Sequence, residues 1–141
     1  MLSKEERAFA MRRPVGYLGT VDSAPGPHVM PVCFALAGDT VYIPIDEKPK
    51  AGNPRQLKRL RNIEGNDRVC LMIDRYDPDW SRLGWVMIRG NARIVESGAD
   101  LIVGVQILRG RYPEYHEMRL EDRPMIVIDI DLVTSWGDLS R

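Results

Sequence analysis

Apolar and polar residues alternate with a period of two along much of this chain, a pattern typical of half-buried β-strands. The longest such run covers residues 85–95, where the alternating positions are Val86, Ile88, Gly90, Ala92 and Ile94. Five other runs combine β-branched and aromatic residues between turn signals: 15–21, 28–36, 40–46, 68–74 and 125–133. The pattern therefore predicts six strands.

The connections between the first three predicted strands are short. A turn signal, DSAPGP, occupies residues 22–27, and Ala37, Gly38 and Asp39 form the next connection. Short connections join neighbouring antiparallel strands, so this part of the chain is predicted to be an antiparallel meander. Pro31 lies within the second strand, and because proline has no backbone N–H to donate, it indicates a sheet edge or a bulge.

Three helices are predicted, at about residues 3–12, 54–64 and 98–108. The first begins with Ser3 and Glu6 at capping-box spacing, and the second begins at the Asn53-Pro54 pair. The third is expected to bury one stripe of apolar side chains: Leu101, Ile102, Val105 and Leu108.

The order of these elements defines the expected fold class. The strands follow one another mostly as hairpins and not as strand-helix-strand crossovers, which disfavours a doubly wound parallel sheet. A length of 141 residues fits one domain. We expect a mainly β (β+α) fold over residues 1–141, a six-stranded antiparallel barrel with peripheral helices.

Composition excludes several classes of protein. Twenty basic and twenty acidic residues give a formal net charge of zero, so no overall field attracts nucleic acid or an acidic membrane. No run of about 18 apolar residues is present, and the N-terminus lacks a signal-peptide pattern, so a cytoplasmic location is expected. The two cysteines and two histidines are not at metal-ligand spacing, so we expect no metal site.

One local charge cluster stands out against the neutral total. Residues 48–63 contain no acidic residue and six basic ones: Lys48, Lys50, Arg55, Lys58, Arg59 and Arg61. On a helix beginning at Pro54, several of these cations share one face and are predicted to point outward. Such a face is either an ordinary solvated surface or a site for a phosphate near a helix N-terminus. The cluster contains no aromatic residue, which argues against a nucleic-acid partner.

Motifs for hydrolysis or nucleotide binding are missing. The sequence has no Gly-x-Ser-x-Gly, Walker or Gly-x-Gly-x-x-Gly motif and no Cys/His pair suited to nucleophilic catalysis. A protein with so few reactive groups fits redox chemistry, in which a cofactor carries the reaction. We assign no catalytic residue from the sequence.

The order of several segments resembles the pyridoxamine 5'-phosphate oxidase-like split-barrel superfamily. These segments are YLGTVDS, HVMPVCFAL, TVYIPID, the basic stretch ending in NIEGNDRVCLMID, and DWSRLGWVMIRGNARIV. The likeness covers about Pro14 to Trp136, and within the superfamily it is strongest to oxidoreductases that use the deazaflavin coenzyme F420. It implies a homodimeric split barrel with the cofactor in a groove between the two barrels.

The resemblance also implies which residues bind the cofactor. Its phosphate would contact Lys50, Lys58 and Arg59, with Arg55 as a further contact. Its ring system would lie against Pro31, Val32, Cys33, Pro44, Ile45 and Asp46. The partner subunit would supply aromatic side chains, for which the candidates are Trp80, Trp85 and Trp136. By residue type alone, Trp85 and Trp136 are more often core or interface anchors than cofactor contacts, and Trp80, in a polar loop, is the better candidate for a lid.

The function implied is F420-dependent hydride transfer to or from a small organic substrate. One alternative is an FMN-dependent oxidase or reductase of the pyridoxamine phosphate oxidase type. Another is a non-catalytic carrier of flavin or haem. A tyrosine-rich stretch with Tyr112, Tyr115 and His116 either lines a pocket or covers the dimer.

Overall fold

The computed structural model describes residues 1–22, 26–46 and 57–141, and these contain seven strands in one sheet. The strands are β1 (Gly16–Val21), β2 (Pro27–Val32), β3 (Ala35–Ala37), β4 (Thr40–Pro44), β5 (Arg68–Arg75), β6 (Gly84–Val95) and β7 (Met125–Gly137). Their order across the sheet is β2-β1-β5-β6-β7-β4-β3, and all neighbours are antiparallel. The mainly β antiparallel fold is as predicted.

The predicted strand 28–36 is two strands, so the expectation of six strands was wrong. β2 ends at Val32 and β3 begins at Ala35, yet these strands form opposite edges of the sheet. Three residue steps of extended chain span about 10 Å at most. The two edges therefore approach each other closely, and the sheet curls into a barrel with a seam at Cys33 and Phe34.

This break also corrects the predicted meander. β1–β2 and β3–β4 are antiparallel pairs, but β2 and β4 are not neighbours in the sheet. Because β2 is an outermost strand, Pro31 does lie at a sheet edge, where its missing N–H costs no ladder hydrogen bond.

The described residues contain three α-helices: α1 (Lys4–Met11), α2 (Lys58–Gly65) and α3 (Ala99–Arg111). The capping box of α1 is present, because the Ser3 N–H donates to Glu6 and the Glu6 N–H donates to the Ser3 hydroxyl. Ile102 of α3 is 67% exposed, so it does not belong to the buried stripe. No helix among the described residues has the length and apolar character to cross a membrane.

Two clusters of buried side chains stabilise the fold. One fills the barrel and is closed by α1 and α2; it includes Phe9, Leu18, Phe34, Ile43, Leu60, Leu71, Ile73 and Ile88. The other lies between the sheet and α3 and includes Ala35, Tyr42, Leu101, Val105, Leu108, Tyr112, Met125 and Val127. Phe34 and Ala35 belong to different clusters, so the chain at the seam is anchored on both sides.

A β-bulge interrupts the long β6–β7 pair. Arg89 lies opposite Leu132 and Gly90 lies opposite Ile130, so Asp131 is the extra residue. A Cβ atom on Gly90 would clash with the carbonyl oxygen of Asp129 and lie 2.9 Å from Ile128 Cγ2. The close approach of β7 therefore requires glycine at this position.

Replacing Gly90 should test this packing. We expect Gly90→Ala to lower the free energy of unfolding by about 1–3 kcal/mol, because the added methyl group overpacks the bulge. The matched control is Gly110→Ala in α3, where an added Cβ has no neighbour within 4 Å. That change should leave stability unchanged or raise it by up to about 1 kcal/mol. Equal stability of the two variants in urea denaturation would contradict the prediction.

Candidate functional site

A cavity of about 120 Å³ opens at the seam of the barrel. The end of β2, the end of β4 and the first turn of α2 meet there because the sheet edges converge. The lining residues are Val15, Pro31, Val32, Cys33, Pro44, Asp46 and Arg59. We call this space the seam cavity.

Six of the residues predicted to contact the cofactor line this one cavity: Pro31, Val32, Cys33, Pro44, Asp46 and Arg59. Ile45 does not line it and is instead buried in the barrel core. Successive side chains of an extended segment point to opposite sides, so Ile45 faces inward where its two neighbours face the cavity.

The buried face of α2 differs from the prediction. Arg59 and Asn62 are only 4% and 3% exposed, whereas Arg61 is exposed. The amide Nδ2 of Asn62 donates to Thr20 Oγ1 at 2.9 Å, which holds this helix face against β1. The expectation that the helix cations all point to solvent was therefore wrong for Arg59. The prediction assumed that only apolar residues of the helix are buried, but the face of α2 that meets β1 is polar and includes Asn62.

The other predicted phosphate contacts are elsewhere or outside the described residues. Lys58 forms an ion pair with Asp22 and does not line the seam cavity. Lys50 and Arg55 fall in 47–56, which lies outside the described residues. Within the described ranges, Arg59 is therefore the cation that lines the cavity.

The three tryptophans lie away from the seam cavity of their own chain. Trp85 and Trp136 are directly opposite each other in the β6–β7 pair, and Trp136 is 54% exposed. Trp80 begins a short 3₁₀ turn and is 72% exposed. None of them lines the cavity, so the predicted contact between a tryptophan and the coenzyme depends on a second copy of the chain.

A second, larger cavity of about 420 Å³ adjoins the first. The two share Val15, Cys33 and Asp46. The second is completed by Pro14, Tyr112, Glu114, Tyr115 and Met118, and we call it the tyrosine cavity. Of the tyrosine-rich stretch, His116 does not line it, since its Nε2 lies 2.8 Å from the carbonyl oxygen of Arg109.

Hydrogen bonds from this stretch hold the seam in place. The Tyr112 hydroxyl accepts from the Phe34 N–H at 3.1 Å and lies 2.8 Å from the Pro14 carbonyl oxygen, to which it donates. Arg111 donates to the Phe34 carbonyl oxygen at 2.6 Å. The sequence carried no signal for Arg111, because its partners are backbone carbonyls far away along the chain. The tyrosine-rich composition was the usable signal for the cavity.

Tyr115 links the two cavities through a side-chain hydrogen bond. Its hydroxyl donates to Asp46 Oδ2 at 2.5 Å. Burial raises the pKa of Tyr115 strongly, and the Asp46 carboxylate raises it further because the phenolate would be repelled there. Burial likewise raises the pKa of Tyr112 and lowers that of Arg111. Both phenols are therefore neutral hydrogen-bond donors at physiological pH.

Comparison with known proteins places this geometry in context. Residues 2–137 match the sequence model of a family described as Pyridoxamine 5'-phosphate oxidase. No curated protein matches the chain by sequence.

Solved structures share the fold at low identity. A conserved hypothetical protein from Mycobacterium tuberculosis aligns with a TM-score of 0.77 at 20% identity, over 97% of this chain and 86% of that one. A candidate pyridoxamine 5'-phosphate oxidase from Listeria innocua aligns at 0.68 and 20% identity, over 93% and 94%. The haem storage protein HutZ from Vibrio cholerae aligns at 0.71 and 17% identity, over 96% and 94%.

Because the pKa of Tyr115 is raised, the free energy of unfolding should fall at alkaline pH. As pH rises past about 10, the phenol ionises in the unfolded chain but stays protonated in the folded protein. The unfolded state then binds fewer protons, so the free energy of unfolding falls with rising pH.

We expect Tyr115→Phe to leave the phenolate absorbance of the folded protein at about pH 10.5 unchanged, because Tyr115 stays protonated there. When both proteins are unfolded in urea, the phenolate absorbance of the variant should be one fifth lower than that of the wild type, since the chain has five tyrosines. Lower absorbance of the folded variant would contradict this.

Proposed function

Because the chain belongs to the pyridoxamine 5'-phosphate oxidase family, we propose that it is an oxidoreductase that binds a phosphorylated flavin-type coenzyme in the seam cavity. The proposed reaction is hydride transfer between the coenzyme and a small organic substrate. The observation that supports it best is the position of Arg59, a buried guanidinium that lines a cavity at the barrel seam.

The residues of the seam cavity fit such a coenzyme. A guanidinium can donate two parallel hydrogen bonds to a phosphate, and burial strengthens them by excluding water. Pro31, Val32 and Pro44 provide apolar walls suited to a planar ring. β2 is an outermost strand, so its backbone has N–H and C=O groups that face away from the sheet and can bond the ring edge.

Each part of the site has a distinct role in this proposal. The bound coenzyme supplies the hydride chemistry. Arg59 binds and orients its anionic end, while the walls next to Cys33 exclude water from the ring. Tyr115 holds a proton at its hydroxyl oxygen, directed at Asp46. The chain thus positions the reactants and needs no nucleophile of its own.

We favour the deazaflavin F420 as the coenzyme. Its tail carries several carboxylates in addition to a phosphate, so it requires more positive charge than FMN does. In the sequence, three basic residues, Lys48, Lys50 and Arg55, lie between Asp46 and Arg59, which both line the seam cavity. FMN, with one phosphate and no such tail, is the alternative coenzyme on the same fold.

A non-catalytic haem carrier is the second candidate. The fold is similar to that of HutZ, a haem storage protein, and the Cys33 side chain lines both cavities, where a thiolate could ligate haem iron. A carrier would bind haem tightly without accelerating any hydride transfer.

We further propose that two copies of the chain form the complete site. On the outward face of the sheet, one row of residues in direct cross-strand register is Pro31, Tyr17, Met72, Met87 and Thr134. A neighbouring row contains Val29, which is 63% exposed, Cys70 and Leu132, with Arg89 as its one charged member. Exposed apolar rows of this kind mark an interaction surface. Because Pro31 also lines the seam cavity, a second copy on this face would lie beside the coenzyme and could bring its own tryptophans to it.

Substitution of Arg59 tests the role of the seam cavity. We expect Arg59→Ala to weaken coenzyme binding by about 1–3 kcal/mol, because one charge-assisted contact is lost. Arg59→Lys should retain part of the affinity. Arg61→Ala, on the same helix but exposed, is the matched control and should bind like the wild type. Equal affinity of Arg59→Ala and Arg61→Ala, with both folded by circular dichroism, would contradict the assignment.

The coenzyme itself can be identified by titrating purified protein with F420, FMN, FAD and haemin while following tryptophan fluorescence. Tightest binding of F420 supports the proposed function. Tightest binding of FMN supports the alternative oxidoreductase. Tight haemin binding with a thiolate-type absorption spectrum that Cys33→Ala abolishes supports the carrier.

The two-copy site predicts a link between assembly and coenzyme binding. Light scattering should give a particle of about twice 16.1 kDa. We expect Val29→Lys to yield monomers with weaker coenzyme affinity, because a buried lysine in the interface is costly. Ile102→Lys, at an equally exposed apolar position on α3, should remain dimeric. A wild-type monomer that binds coenzyme at full affinity would contradict the proposal.

A further inference from the structure

The tyrosine cavity differs in chemistry from the seam cavity it adjoins. Most of its walls are apolar or aromatic, formed by Pro14, Val15, Tyr112, Tyr115 and Met118. At about 420 Å³ it can hold a compound of one or two rings. Its opening beside Cys33 and Asp46 means that a molecule bound there would lie next to the contents of the seam cavity.

The charged groups of the tyrosine cavity are carboxylates. Asp46 and Glu114 line it, and no lysine, arginine or histidine does so among the residues that the structure describes. The hydroxyl proton of Tyr115 is donated to Asp46, and that of Tyr112 to a backbone carbonyl. What the cavity offers a ligand is therefore aromatic surface and hydrogen-bond acceptors.

Three arginines lie behind the cavity walls without lining the cavity. Arg109 donates to the carbonyl oxygens of Tyr115 and Met118 and pairs with Glu121, and Arg123 donates to the carbonyl oxygen of Ile45. Arg111 stacks on the ring of Tyr112, with its guanidinium carbon 5.1 Å from the ring centre. Its N–H groups donate to the backbone carbonyl oxygens of Phe34 and Arg13. None of the three guanidinium groups lines the cavity, so the charged groups that a ligand there would meet directly are the two carboxylates.

We propose that the tyrosine cavity is the substrate site and that it takes a neutral or cationic aromatic compound carrying hydrogen-bond donors. This rests on the proposed function, since the neighbouring cavity then holds the coenzyme. Arg59 lines the seam cavity alone and attracts the anionic end of the coenzyme, whereas Glu114 lines the tyrosine cavity alone. Asp46 lines both cavities, so in the tyrosine cavity two carboxylates and no described cation repel an anion. Carboxylates and phosphate esters are therefore disfavoured as substrates, which separates this protein from an oxidase acting on a phosphorylated vitamin.

Three ligands of matched size test the proposal on the full-length protein without coenzyme: 2-naphthylmethanol, 2-naphthylmethylammonium and 2-naphthoate. Binding is measured by NMR titration of the backbone amides. We expect the alcohol and the ammonium to bind and to shift the amide signals of Tyr112 and of residues 114–118. The carboxylate should bind about five- to tenfold more weakly, because the carboxylates of Asp46 and Glu114 line the cavity and repel it. Equal binding of the naphthoate and the alcohol, or no binding of any of the three, overturns the proposal.

Glu114→Gln provides a second measurement that does not depend on folding alone. It should raise naphthoate affinity relative to the ammonium by about two- to fivefold, because one repelling charge is removed. Glu117→Gln is the matched control, since Glu117 lies in the same 3₁₀ turn, is exposed and does not line the cavity. An equal change in both variants overturns the proposal. Because no coenzyme is present, this result is independent of the coenzyme titration, and either can fail while the other stands.

Discussion

The chain crosses from one edge of the sheet to the other within Cys33 and Phe34, and the remaining features of the site depend on that crossing. So short a connection requires a curled sheet, because extended chain covers little more than 3 Å per residue. Tyr112 and Arg111 hold the Phe34 backbone from outside, and the Phe34 ring fills the barrel from inside. The crossing is thus stabilised from both sides, which keeps the cavity walls in fixed positions.

The site has an asymmetric charge distribution at short range. Arg59 lines the seam cavity, while Asp46 lies between the two cavities and Glu114 lines the tyrosine cavity alone. Such an arrangement can distinguish an anionic group from a neutral or cationic one over a few ångströms, because the buried Arg59 attracts anions and the two carboxylates repel them. The tyrosines contribute surface area and neutral hydroxyls at the same place.

Proteins of this fold illustrate that the barrel does not define the chemistry. The structures similar to this chain include a candidate oxidase and a haem storage protein, at identities of 20% and 17%. At that distance the shared feature is the arrangement of strands. On the proposed function, the chemistry of this chain is set by the side chains that line the two cavities, among them Arg59, Cys33, Asp46 and the two tyrosines.

Alternation and turn residues act over neighbouring positions, so they were enough to predict the three helices, the antiparallel class and every strand except the division of residues 28–36. The resemblance also named six residues that meet in one cavity. Three features became known only from the folded structure. Residues 28–36 divide between two sheet edges, and Ile45 faces the core. Arg59 is buried, whereas Lys58 pairs with Asp22. These depend on contacts between segments far apart in the chain, and local periodicity carries no information about which surfaces will meet.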